Sequence, residues 1–113
     1  MRGLNKVTLI GNLGGNPEIQ KPQGNVSVAK LSLATTETFR DAKGQSHSNT
    51  EWHGVVLWRT MADLAAKYLK KGSMIYLEGK IKTRSYDDKE GNKRCVTEII
   101  ADRRCGGELH HVR

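Results

Sequence analysis

Four of the six aromatic residues in this 113-residue chain, Phe39, Trp52, Trp58 and Tyr86, lie in or at the ends of polar, basic segments. Phe39 is followed by Arg40, Trp58 by Arg59, and Tyr86 stands two residues after Arg84. An aromatic ring can stack on any unpaired base, worth about 1–3 kcal/mol per base, while Lys and Arg track the phosphates. Such a set selects single strands, because paired bases hide their faces. The competing use of these rings is in a core: Trp52 and Trp58 share strand parity with Val56, which leaves one of them open to partial burial. For the four together, the spacing favours stacking.

Catalysis finds less support. Asp87, Asp88 and Glu90 cluster in an expected hairpin tip, where a solubilising turn is the commoner reading than a metal or acid–base site. Cys95, Cys105, His110 and His111 are zinc-capable, but their spacing fits no close Cys-pair or His-pair knuckle. His53 alternates with Glu51 on one strand face and reads as a structural or interface histidine, not a general base. Gly11–Asn12–Leu13–Gly14–Gly15–Asn16 lacks both the spacing of a phosphate loop and the helix that should follow. The expectation is a binding protein, not an enzyme, with no metal and no cofactor.

Nineteen Lys and Arg against twelve Asp and Glu give a net charge of +7. That excess suits a polyanionic partner, although a merely solvated basic surface fits the composition equally. Two cysteines make no disulfide framework, so a reducing cytosol is the simpler expectation. The longest apolar runs, such as Val55–Val56–Leu57–Trp58, are too short to span a bilayer. No apolar block follows the basic N-terminus, so no secretory signal is expected.

The elements that would position the rings are short strands and one helix. Lys6–Ile10 is strand-like and ends at Gly11 and a Gly–Gly–Asn–Pro turn cluster. A second strand runs from about Val26 to Phe39; its apolar phase shifts from Val26/Val28 to Ala29/Leu31/Leu33, which suggests a bulge or bend. Arg40 to Asn49 reads as an exposed hairpin loop, and a third strand covers about Thr50 to Trp58. Met61, Leu64, Ala65, Tyr68 and Leu69 fall at helical spacing, with Thr60 as cap, Asp63 as its box partner and Gly72 as terminator. A fourth strand places Tyr76, Glu78, Lys80, Lys82, Arg84 and Tyr86 on one face, and a fifth runs from about Arg94 to Ala101. Three strands, a helix and two strands is the order of a mainly β, five-stranded Greek-key OB-fold barrel, with its helix between strands 3 and 4.

Several segments resemble the bacterial single-stranded-DNA-binding protein family. They are Leu4 to Leu13, Leu33–Ala34–Thr35–Thr36, Thr50–Glu51–Trp52–His53, Tyr68 to Ser73, Tyr76 to Arg84 and Thr97–Glu98–Ile99–Ile100, in the family's order over residues 1 to about 104. The resemblance implies an OB fold, a homotetramer, and sequence-independent wrapping of single-stranded DNA in replication, recombination and repair. It implies base stacking at Phe39, Trp52, Trp58 and Tyr86, although Phe39 and Tyr86 stand where tryptophan is familiar and Trp58 where phenylalanine is. Arg2, Lys71, Lys82 and Arg84 match its phosphate-contacting positions, and His53 a position at its subunit interface. Gly54 replaces a frequent basic residue, a loss that Arg59 could offset.

The expected organisation is a binding domain over residues 1–104 and a short C-terminal extension over 105–113, without the family's usual acidic tip. Partners gripped through such a tip are therefore not expected. The expected location is the cytoplasm, on the nucleoid.

Overall fold

A computed structural model describes residues 3–23, 26–102 and 107–112. Its elements run β1 (Val7–Leu13), β2 (Glu18–Gln23), β3 (Val26–Arg40), β4 (Ser46–Trp58), α1 (Thr60–Tyr68), β5 (Met74–Asp87), β6 (Lys93–Ala101) and β7 (Glu108–His111). β1 pairs with both β3 and β5, β3 with β4, β4 with β6, and β6 with β5, so five strands close on themselves. The β4–β6 closure is parallel and the other pairings are antiparallel. With α1 between the third and fourth barrel strands, this is the expected OB architecture.

Alternation along the strands builds the core. Leu33, Val55, Leu57, Ile75 and Leu77 point inward and are fully buried, and α1 adds Met61, Ala62 and Ala65 to the same cluster. Truncating one of these leucines to alanine would cost about 2–5 kcal/mol in lost transfer energy and cavity. The outer halves of β3–β4 and β5–β6 behave differently, because almost every residue from Thr36 to Asn49 and from Ile81 to Val96 is exposed or half-exposed on both faces. These hairpins project from the barrel. The Cα radius of gyration is accordingly 16.1 Å, against about 13 Å for a compact chain of this length.

Four local expectations change. β3 pairs with β4 unbroken from Val28↔Trp58 to Arg40↔Ser46, so the apolar phase shift is no bulge there. Val28 and Ala29 are instead buried on opposite faces, and the irregular pairing lies in β2, between Gln20 and Gln23. The loop read over 40–49 shrinks, since strand pairing continues to Arg40 and resumes at Ser46. Thr60 is the first helical residue and not the cap: Arg59 holds that position at φ 56°, with no side-chain cap hydrogen bond. Gly72 does take a left-handed φ of 89°, but in the turn after Leu69, where its N–H donates to the Leu13 carbonyl at 2.9 Å.

β2 and β7 were not expected as strands. β2 adds to the outer edge of β3, and β7, within the expected C-terminal extension, pairs with β5 from Ile75↔His111 to Glu78↔Glu108. Neither sequence has the long apolar alternation that marks a barrel strand.

Candidate nucleic-acid interface

The two projecting hairpins end in the same turn. Asp41 Oδ1 accepts from the backbone N–H groups of Lys43 and Gln45, and Asp88 Oδ1 accepts from those of Glu90 and Asn92. Gly44 and Gly91, three residues after each aspartate, take φ of 80° and 82°, a region that L side chains avoid. The second carboxylate oxygen reaches six residues on: Asp41 Oδ2 lies 2.8 Å from His47 Nε2, and Asp88 Oδ2 accepts from Arg94 Nε at 3.0 Å. These bonds favour the ionised carboxylates. The His47 bond, followed by the turn amides, holds Asp41 below the ordinary aspartate range, and Arg94 does the same for Asp88.

Two residues before each aspartate stands a candidate stacking ring. Phe39 is 47% exposed and Tyr86 is 46% exposed. Each lies directly across the ribbon from the partner of its aspartate, Phe39 from His47 and Tyr86 from Arg94. Phe39 stacks on His47 with ring centroids 5.4 Å apart. Tyr86 receives the Arg84 guanidinium 5.8 Å from its centroid, while Arg84 Nε donates to Glu98 at 2.7 Å. That bond to Glu98 raises the Arg84 pKa further and keeps the guanidinium charged.

Trp52 is 60% exposed and lines an open groove of about 580 Å³ with Gly14, Gly15, Asn16, Lys30 and Ser32. Asn16 Oδ1 accepts from the Lys71 backbone N–H at 2.9 Å, which ties the exposed Lys71 to the same rim. Trp58 is half-buried opposite Val28, so of the two tryptophans it is the one partly given to packing. Unbroken pairing fixes the pleat. Trp52 and Trp58 lie on the outer face of β4, Tyr86 with Lys82 and Arg84 on the outer face of β5, and Phe39 with His47 on the opposite face of their ribbon.

The remaining candidates divide. Lys82 is exposed across from Glu98. Arg59 is paired within the fold while its side chain stays 38% exposed: its guanidinium donates to Asp102 at 2.8 Å, and Asp102 is only 12% exposed. His53 is half-buried on the face away from Trp52, with Nε2 2.9 Å from Thr35 Oγ1, and it borders an apolar depression of about 350 Å³ with Val7, Leu9, Ile81 and Ile99. Arg2 lies outside the described residues, as does Cys105. Cys95 is exposed, and among the described residues no three His, Cys, Asp or Glu side chains converge on a possible metal position. Nor does any described helix have the length and apolarity to cross a membrane.

The family model of the single-strand binding protein family matches residues 4–105 of this chain. The chain belongs to the single-strand binding protein family. It is 49% identical over 100 residues to single-stranded DNA-binding protein 1 of Chlorobaculum tepidum, an alignment covering 88% of this chain and 62% of that relative. The chain thus spans less than two-thirds of that relative's length. Among solved structures it is similar to a Plasmodium falciparum single-strand binding protein in complex with single-stranded DNA, at TM-score 0.90 and 36% identity. That match covers 100% of this chain and 98% of the other.

In this member of the single-strand binding protein family, Asp41, His47 and Arg94 shape the candidate interface without having stood out in the sequence, and Asp88 and Gly14 shape it in ways other than their turn positions implied. A signal was present. The stretches Phe39–Arg40–Asp41–Ala42–Lys43–Gly44–Gln45–Ser46–His47 and Tyr86–Asp87–Asp88–Lys89–Glu90–Gly91–Asn92–Lys93–Arg94 share one spacing of ring, Asp, Gly, amide and basic side chain. Reading Asp88 as a solubilising turn residue captured its place but not its bond to Arg94.

Proposed function

We propose that this chain binds single-stranded DNA without reading its sequence, as a homotetramer serving replication, recombination and repair on the nucleoid. In this reading residues 1–104 form the binding unit. Phe39, Trp52, Trp58 and Tyr86 stack on bases, while Arg2, Lys71, Lys82 and Arg84 meet phosphates. Arg59 contributes its charge from the Asp102 pair, and His53 lies in a subunit contact.

The observation that carries the reading is the exposure of Trp52 on the outer face of the barrel and of Phe39 and Tyr86 on hairpins that rise clear of the core. Large rings cost hydrophobic free energy when left in water, and an unpaired base is a partner for each. Because Phe39 lies on the face opposite Trp52, one strand touching both must pass around the β3–β4 ribbon. That geometry supports wrapping. The apolar depression beside His53 offers the kind of surface on which chains of charge +7 could associate against their own repulsion.

Titration with unlabelled homopolymer oligonucleotides, followed by tryptophan emission, tests the reading. Quenching with similar affinity for different homopolymers is expected, and Trp52→Ala and Trp58→Ala should each weaken binding by about 1–3 kcal/mol. Unchanged affinity in both variants, or binding restricted to one sequence, overturns it. Light scattering that finds a monomer at micromolar concentration overturns the tetramer.

A further inference from the structure

We propose that His47 is a base-contacting residue in its own right, forming with Phe39 a two-ring platform whose pose is set by Asp41. The inference rests on the single-strand reading above and adds to it a ring and a positioning carboxylate.

Phe39 is separated from the other three candidate rings by the pleat of its ribbon, so whatever base it meets is met locally. Across the ribbon stands His47, its ring 5.4 Å from that of Phe39 and inclined by 26°. Neither ring is consumed by the contact: Phe39 remains 47% exposed and the His47 side chain 46% exposed. The two rings are stacked on each other, so a base can continue the stack on the outward face of either ring. The His47 ring thereby lengthens the stack that a base, or two successive bases, can join.

An imidazole at a hairpin end would ordinarily swing through its rotamers and lose entropy on stacking. Here it does not swing freely. Asp41 Oδ2 holds Nε2 at 2.8 Å, while Asp41 Oδ1 is itself held by the amides of Lys43 and Gln45. The turn therefore fixes the carboxylate and the carboxylate fixes the ring before any ligand arrives, which lowers the ordering cost of binding. The second hairpin repeats the device with Asp88 holding Arg94 across from Tyr86, so the arrangement is a property of the turn and not an accident of one side chain.

Oligothymidylate titrations of the full chain at several salt concentrations test the platform through His47→Ala, His47→Phe and Asp41→Ala, with thermal melts to monitor folding. His47→Ala should weaken binding about fivefold, the low end for a single stacking ring, with the salt slope unchanged. His47→Phe keeps a ring and should bind within about twofold of wild type. Asp41→Ala should weaken binding on its own and add nothing to His47→Ala, because it acts through that ring. Wild-type affinity in His47→Ala overturns the platform while leaving the single-strand reading intact. A His47→Phe variant as weak as His47→Ala, with the slope flattened by about 0.7, makes His47 a phosphate contact and also overturns it. A wild-type chain that shows no quenching at all sinks the single-strand reading and the platform together.

Discussion

The six-membered ring of Trp52 lies against Gly14: a Cβ added to Gly14 would fall 2.5 Å from Cζ3 and 2.9 Å from Cη2. The absent side chain is what lets the ring settle at the end of β1 while keeping most of its surface exposed. Gly14 is held there by its own N–H, which donates to the Ser32 carbonyl at 2.9 Å. Gly14→Val should therefore push the indole out of its resting pose. Oligonucleotide affinity should fall by up to about 1–3 kcal/mol, the worth of one stacked base. Unfolding midpoints should change little, because the ring moved is a surface ring. Fluorescence titration beside thermal melts separates the two; full affinity in Gly14→Val would show that Trp52 stacks equally well from another pose.

Arg59 carries two opposed effects. Its backbone at φ 56°, ψ −121° is a conformation that a non-glycine residue adopts at a cost of about 1–3 kcal/mol. Its guanidinium meanwhile neutralises the nearly buried Asp102. Arg59→Ala loses the pair and keeps the strain, whereas Arg59→Gly loses the pair and relieves it. Chemical denaturation should rank wild type above Arg59→Gly and Arg59→Gly above Arg59→Ala. An alanine variant as stable as the glycine variant would remove backbone strain from the account.

Glu98 competes for Arg84. A phosphate approaching that guanidinium must displace or share it with a carboxylate 2.7 Å away. Glu98→Gln should tighten oligonucleotide binding at low salt, by less than tenfold, since only one contact is freed. Lys82→Ala should instead weaken binding and flatten the log–log salt slope by about 0.7. Titrations across a salt series distinguish these outcomes, and weaker binding by Glu98→Gln would mean that Glu98 orients Arg84 toward the strand.

Acid should loosen the hairpins first. Asp41 is lowered by His47 and the turn amides, Asp88 by Arg94 and Asn92, and Glu78 by the Tyr76 hydroxyl and then Lys6. A carboxylate whose pKa is depressed by folding stabilises the fold fully above its unfolded value, near pH 4. That contribution is lost as the pH falls through the lower folded value. Melting temperature should hold steady from pH 7 to about pH 5 and fall below about pH 4. Asp41→Asn combined with Asp88→Asn should flatten the acid limb; an unchanged limb would place the acid sensitivity in other groups.

The amino-acid order alone decided what depends on near neighbours. Alternation of Leu31 and Leu33 with Lys30 and Ser32 makes β3 half-buried wherever it forms, and Met61, Ala65 and Leu69 at helical spacing make α1 amphipathic. The exposure of Phe39, Trp52 and Tyr86 was equally legible, because each ring has only polar immediate neighbours, whereas Tyr68, at helical spacing with Met61 and Ala65, is 59% exposed against that spacing. Tertiary structure decided the rest through contacts between residues far apart in the chain. The Arg59–Asp102 pair joins positions 43 apart, so nothing local foretold that this cation would serve the fold. β2 and β7 exist only because β3 and β5 offer free edges, which leave no mark in the sequences that occupy them. The side of the ribbon on which Phe39 lies depends on an unbroken register over thirteen pairings from Val28↔Trp58 to Arg40↔Ser46, and a slip of one residue would turn every ring to the other face.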